Sequence, residues 1–198
     1  MVLTDAALLK GRDVVDAARR AVRGGATAVQ VRLKGVPARD VVASARALAQ
    51  ALEVPVLVND RVDIALAAGA AGAHLGQDDV PLDALRAHIP ALFILGVSVG
   101  TAAEAGRAAT CCADYWSIGP CFETSHKTDA GAPLGPEGFA DLARLAPTGV
   151  PVLGIGGITA LNAGALRHAG AAGIAVIGAV WETSDPESAA RALRRAFA

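Results

Sequence analysis

Short apolar runs alternate along this chain with longer stretches whose apolar positions recur three and four residues apart. The first pattern is that of a buried strand and the second that of an amphipathic helix. Strands are predicted at Val2-Leu3, Ala28 to Arg32, Val56 to Val58, Ala73 to Leu75, Phe93 to Val97, Tyr115 to Ile118, Val152 to Ile155 and Ile174 to Ile177. Between them helices are predicted around Val14 to Val22, Val41 to Leu52, Ala102 to Ala109, Phe139 to Leu145 and Leu161 to His168, with a last one from Glu187 to Phe197. The third and fourth helices are shorter, the third running from Val62 to Ala68. Eight strand-and-helix alternations predict an α/β fold, a single (β/α)8 TIM barrel spanning residues 1–198, with its site at the C-terminal ends of the strands. The rival is an open doubly wound sheet, but no Gly-x-Gly-x-x-Gly follows the first strand.

An internal echo supports closure. Gly25-Ala26-Thr27-Ala28, Gly69-Ala70-Ala71-Gly72, Cys112-Ala113-Asp114-Tyr115 and Gly170-Ala171-Ala172-Gly173 each set a small residue and Ala just before a strand, so the pattern returns at every second strand. With 53% apolar residues but only 4% aromatic ones, the core is expected to be built from Ala, Val, Leu and Ile. Charge narrows the partners. A formal net charge of −1 with both signs interspersed lacks the basic footprint of a nucleic-acid binder. The apolar runs are too short to cross a bilayer, so no membrane association is expected. Met1-Val2-Leu3-Thr4-Asp5 shows no basic segment ahead of an apolar stretch, which predicts a cytoplasmic protein. Cys111, Cys112 and Cys121 are read as reduced packing residues, because the adjacent pair suits neither an ordinary disulfide nor a CxxC metal knuckle. The expected partners are small molecules, and a homo-oligomer is compatible with the sequence.

Candidate chemistry begins where acidic clusters follow two successive strands. Asn59-Asp60-Arg61-Val62-Asp63 comes directly after Val56-Leu57-Val58, and Gly76-Gln77-Asp78-Asp79 after Ala73-His74-Leu75. Parallel strands point their C-terminal ends to one rim, and carboxylates gathered there repel unless a cation separates them. All-oxygen ligation suits Mg²⁺ shared with substrate phosphates, which makes Asp60 and Asp79 metal-ligand candidates. The alternative is that each aspartate caps the helix after it.

The other strand ends supply anion-binding groups. Alternation along the second strand would turn Gln30, Arg32 and Lys34 to one face, where Arg forks onto phosphate oxygens and Lys adds a point charge; the alternative is an edge strand facing solvent. Ser98, after the fifth strand, could meet a ligand oxygen or start a turn. The sixth strand runs into a long loop from Gly119 to Gly135, lid-like in length, from which Lys127 could reach an anion or simply be solvated. His126 in that loop reads as a base, a phosphate contact or a bystander. Gly156-Gly157 and Gly178 close the seventh and eighth strands, where barrels often present backbone N–H groups to a phosphate.

Taken together, Gln30-x-Arg32-x-Lys34, Asn59-Asp60-Arg61, His74-Leu75-Gly76-Gln77-Asp78-Asp79, Gly96-Val97-Ser98, Ala113-Asp114-Tyr115, Gly119-Pro120, Lys127, Ile155-Gly156-Gly157-Ile158 and Ala175-Val176-Ile177 resemble the thiamine phosphate synthase and thiazole tautomerase family over nearly the whole chain. The resemblance implies a transferase that joins 4-amino-5-hydroxymethyl-2-methylpyrimidine diphosphate to a thiazole phosphate with loss of pyrophosphate. It implies Mg²⁺ on Asp60 and Asp79. Gln30, Arg32, Lys34, Asn59, Ser98 and Lys127 would surround the pyrimidine diphosphate, Arg32, Lys34 and Lys127 acting on the leaving group. Thr124, Gly157, Ile177 and Gly178, with His126 nearby, would line the thiazole phosphate site.

The chain departs from the synthase pattern mainly on the thiazole side. Gly100 stands at a usual His, Glu123-Thr124-Ser125-His126 replaces a Pro- and Thr-containing run, and Gly178 stands at a usual Ser. Phe122-Glu123-Thr124 resembles the tautomerase branch, but Pro120 stands where that branch carries its catalytic His. The alternatives to a synthase are therefore a thiazole phosphate tautomerase, with His126 as its base, and a non-catalytic paralogue that binds a phosphorylated ligand.

Overall fold

The computed structural model describes residues 1–125 and 131–198. Eight strands form one sheet in sequence order: β1 (Val2–Leu3), β2 (Val29–Val31), β3 (Val56–Asn59), β4 (Gly72–Leu75), β5 (Ile94–Val99), β6 (Tyr115–Ile118), β7 (Val152–Ile155) and β8 (Gly173–Ala175). Helices α1 (Ala6–Leu9) and α2 (Val14–Arg23) follow β1, and α3 (Ala38–Ala51), α4 (Val62–Ala68), α5 (Leu82–Arg86), α6 (Ala102–Ala108), α7 (Gly135–Ala143) and α8 (Ala163–His168) follow β2 to β7 in turn. Past β8 come α9 (Gly178–Trp181) and α10 (Pro186–Phe197). Parallel pairing and a parallel bridge between Val2 and Val176 make this the (β/α)8 barrel that the sequence predicts.

Two short helices escape the sequence pattern. The Asp5 carboxylate starts α1 by accepting from the N–H groups of Ala7 and Leu8 at 3.0 and 3.2 Å. A four-residue helix has no room for a hydrophobic period, so α1 and α9 leave no periodic signal. The eighth strand is shorter than predicted: Val176 still bridges Val2, but Ile177 has ψ −83°, which takes the chain out of the extended region and into α9.

Residues group into two compact units, 1–74 with 176–195 and 75–175 with 196–198. In the first, Gln30 lies opposite Leu3 and Leu57, and Asn59 opposite His74, so the polar ends of β3 and β4 arrive level. Small residues Ala18, Ala21 and Ala45 are fully buried on α2 and α3, with Leu48 beside them in sequence on the same α3 face. Trp181 is buried too, and its indole N–H donates to the Leu3 carbonyl at 2.5 Å. In the second unit, Ser98 lies opposite Ser117, and Ile155 opposite Ala175. Its largest fully buried side chains include Trp116, Phe139, Leu95 and Leu166, each contributing roughly 1.5 to 3 kcal/mol. The core is mostly aliphatic as expected, with both tryptophans added to it.

Candidate active site

In the first unit the chain turns sharply where β3 ends. Asp60 has φ +63°, and the Arg61 N–H donates to the Asn59 carbonyl at 2.8 Å, closing a three-residue turn about Asp60. The Asp60 N–H donates to the His74 carbonyl at 2.8 Å, which carries the β3–β4 pairing one residue past the strand. A left-handed aspartate costs about 1 to 2 kcal/mol and persists only where its surroundings impose it. Asp60 is not the cap of the next helix: Arg61 holds that position and makes no side-chain capping bond. Arg61 instead grips Asp63 through two nitrogens, at 2.8 and 2.5 Å, and this ion pair lowers the Asp63 pKa.

Lys34, Asn59 and Asp60 line a cavity of about 150 Å³ together with Leu33 and Val36. Strand β2 stops at Val31, so its alternation does not run on to Lys34, which is exposed in the following turn. Gln30 is buried; its amide N–H lies 3.8 Å from the Met1 sulfur, and its Oε1 has no hydrogen-bond partner among the described residues. A buried acceptor left open in this way is costly and marks a place for a donor. Arg32 is mostly buried, with Nη1 on the Asp5 carboxylate at 3.1 Å and its backbone N–H donating to the Thr4 hydroxyl at 2.9 Å. Thus Asp5 both starts α1 and holds Arg32.

The same unit contains Ile177 and Gly178, at the start of α9. The other end of α9 is clasped by Arg12, whose guanidinium donates to the carbonyls of Leu8 at 2.8 Å, Thr183 at 3.2 Å and Trp181. Arg12 is absent from the sequence-derived candidates, since its partners at α9, Trp181 and Thr183, lie far away along the chain.

In the second unit, Asp79 turns back on its own loop: its Oδ2 accepts from the Gly76 N–H at 2.6 Å. It does not cap α5, whose N-terminal position is Pro81 without a side-chain bond. Gln77 between them donates to the Ser98 carbonyl at 2.6 Å and accepts from Arg107 at 2.9 Å, which ties the Asp79 turn to the end of β5. Beyond Ser98, Gly100 donates its N–H to Glu104 at 2.6 Å. Among the described residues no three His, Cys, Asp or Glu side chains gather as a ready-made metal cage.

The loop after β6 is fastened at its neck. Cys121 and Phe122 donate to the carbonyls of Ile155 and Gly156 at 2.7 and 3.0 Å, while Leu134 and Gly135 donate back to Pro120 and Cys121, both at 2.9 Å. Glu123, Thr124 and Ser125 line a cavity of about 460 Å³ with Pro120, Gly131 and Pro133. His126 and Lys127 lie outside the described residues. Gly156 and Gly157 have φ +94° and +63°, and a β-carbon on Gly157 would stand 2.3 Å from the Glu123 carbonyl oxygen. Only glycine allows that approach. Asn162, absent from the sequence-derived candidates, holds this turn: its amide donates to the Gly157 carbonyl at 3.0 Å and accepts from the Thr159 N–H at 2.8 Å. Its signal was an Asn just ahead of a helix, five residues past the glycine pair.

Residues 1–180 match the family model described as thiamine monophosphate synthase. The chain belongs to this family. A thiamine-phosphate synthase of Roseiflexus castenholzii is 49% identical over 195 residues, covering 97% of this chain and 85% of that protein. Another, from Methanoculleus marisnigri, is 42% identical over 196 residues, covering 98% and 92%. The solved thiamine phosphate pyrophosphorylase from Pyrococcus furiosus superposes with a TM-score of 0.86 at 34% identity, covering 99% of this chain and 94% of its own. Within the family these relatives support the synthase branch over the tautomerase branch.

Proposed function

We propose that this chain is a thiamine phosphate synthase, a transferase that joins 4-amino-5-hydroxymethyl-2-methylpyrimidine diphosphate to a thiazole phosphate and releases pyrophosphate. The observation that carries the reading is the 49% identity to a thiamine-phosphate synthase along 97% of the chain. The electron-rich pyrimidine sheds its diphosphate to leave a stabilised cation, which the thiazole nitrogen then attacks. No side-chain nucleophile is needed. The protein has to neutralise the leaving group and align the acceptor.

Asp60 and Asp79 would hold Mg²⁺. Arg61 and Pro81, not these aspartates, hold the N-cap positions of α4 and α5, and carboxylates that follow two successive strands suit an ion that completes its shell with phosphate oxygens and water. The ion's chemistry is charge neutralisation on the departing diphosphate. Lys34, beside Asn59 and Asp60 on one cavity, supplies a cation there, and Arg32, oriented by Asp5, a second. Gln30 offers its open Oε1 to a donor such as the pyrimidine amino group. Lys127 and Ser98 complete the diphosphate side. Thr124, Gly157, Ile177 and Gly178, with His126, form the thiazole phosphate side. A cytoplasmic location goes with the reading, since a reducing compartment keeps the three unpaired cysteines as thiols. Among the described residues no helix is long and apolar enough to cross a membrane.

The test is to mix purified protein with both substrates and Mg²⁺ and follow pyrophosphate release. Release that requires the thiazole phosphate is the expected result. Tautomer exchange of a thiazole phosphate without pyrophosphate release would put the tautomerase alternative in its place.

A further inference from the structure

Asn162 occupies the position just before α8, where an asparagine ordinarily bonds an N–H of its own helix. It makes no such bond. Both ends of its amide turn back instead, Nδ2 to the Gly157 carbonyl at 3.0 Å and Oδ1 to the Thr159 N–H at 2.8 Å. In a trans peptide the carbonyl and N–H point in opposite directions, so holding the Gly157 carbonyl also sets the direction of the Ile158 N–H. Among the described residues the N–H groups of Gly157 and Ile158 donate to nothing, whereas that of Thr159 is taken up by Asn162. The side chain thus claims one donor and one acceptor of the turn and leaves two adjacent donors open. Oriented backbone donors of this kind bind anions without any charged side chain.

We propose that Asn162 is a positioning residue for the acceptor substrate: it presets the Gly157–Ile158 backbone that receives the thiazole phosphate. The inference rests on the synthase reading for the identity of that phosphate. It assigns Asn162 to binding of the thiazole phosphate alone, not to loss of pyrophosphate.

Asn162→Asp changes one group. It keeps an acceptor for Thr159 but sets an oxygen against the Gly157 carbonyl, so the peptide is repelled rather than held. The experiment titrates hydroxyethylthiazole phosphate into the unaltered protein and into Asn162→Asp by calorimetry, and in parallel measures KM for each substrate. The expected result is a thiazole phosphate Kd and KM raised about tenfold or more, with the pyrimidine diphosphate KM within about twofold of its original value. Leu161→Ala, one residue earlier and 99% exposed, is the control and should change neither. A merely structural role would move both KM values together, and that result would overturn the proposal. So would an unchanged thiazole phosphate Kd, or no binding of that compound by the unaltered protein. Weakened thiazole phosphate binding in a protein that never releases pyrophosphate would uphold the positioning role and refute the synthase reading. If Asn162→Asp does not fold, Asn162→Ala removes both bonds without adding charge and is held to the same outcomes.

Discussion

Gly157→Ala tests the claim that the turn after β7 is built by a backbone approach only glycine permits. Two costs add. The residue sits at φ +63°, where an L side chain costs about 1 to 2 kcal/mol. A β-carbon there would also lie 2.3 Å from the Glu123 oxygen and 2.7 Å from the Phe122 carbonyl carbon, both backbone atoms that cannot swing aside. Overpacking of that kind costs about 1 to 3 kcal/mol, so the total is about 2 to 5 kcal/mol. In a domain of this size that lowers Tm by roughly 4 to 20 °C. Gly149→Ala is the internal control, since Gly149 has φ +89° with nothing within 4 Å of the added carbon, and should show the backbone cost alone. Calorimetric unfolding of both variants reads the difference directly. Equal losses of stability in the two would refute the argument that the loop after β6 packs against Gly157.

Asp60→Asn keeps a side chain that tolerates the left-handed turn, and Asp79→Asn keeps an oxygen for the Gly76 N–H; each should lose most pyrophosphate-releasing activity with little change in Tm, and full activity in EDTA would remove the metal assignment. Lys127→Ala should slow pyrophosphate release roughly ten- to 150-fold, the effect of deleting a charge-assisted contact worth about 1.5 to 3 kcal/mol, and an unchanged rate would mean that this lysine does not meet the diphosphate. Burial pushes the Cys121 thiol up to about 12 from its usual 9.0, so its contribution to stability is intact below pH 9 and is lost as pH climbs from there toward 12, when the unfolded thiol ionises first. Urea unfolding at pH 8 and 10.5 should show Cys121→Ala losing less stability with alkali than the unaltered protein; parallel losses would contradict this.

All eight strands were legible because each is a short apolar run closed off by turn residues, and Tyr115–Ile118 and Val152–Ile155 fall where the pattern puts them. Ends were harder. The apolar run continues through Val176 and Ile177, yet the chain turns at Ile177, because composition does not record ψ. Helix α7 starts at Gly135 rather than near Phe139, since its first turn is polar, although Pro136 near its start was a readable signal. At the candidate site, strand ends single out residues by position along the chain, but not whom they touch. The Arg32–Asp5 ion pair, the Gln77 link to Ser98 and the Arg12 clasp join residues distant along the chain, and no local pattern encodes them. The alternation that paired Lys34 with Gln30 was extrapolated past a strand that ends at Val31.

The most direct test of the account is to identify the product. The purified protein is incubated with 4-amino-5-hydroxymethyl-2-methylpyrimidine diphosphate, hydroxyethylthiazole phosphate and Mg²⁺, and thiamine phosphate is quantified by mass spectrometry beside pyrophosphate. A synthase of this kind yields the two in equal amounts, neither forming when EDTA is present or when one substrate is left out. Both substrates unconsumed, or the thiazole phosphate altered while the diphosphate stays intact, would contradict the synthase reading.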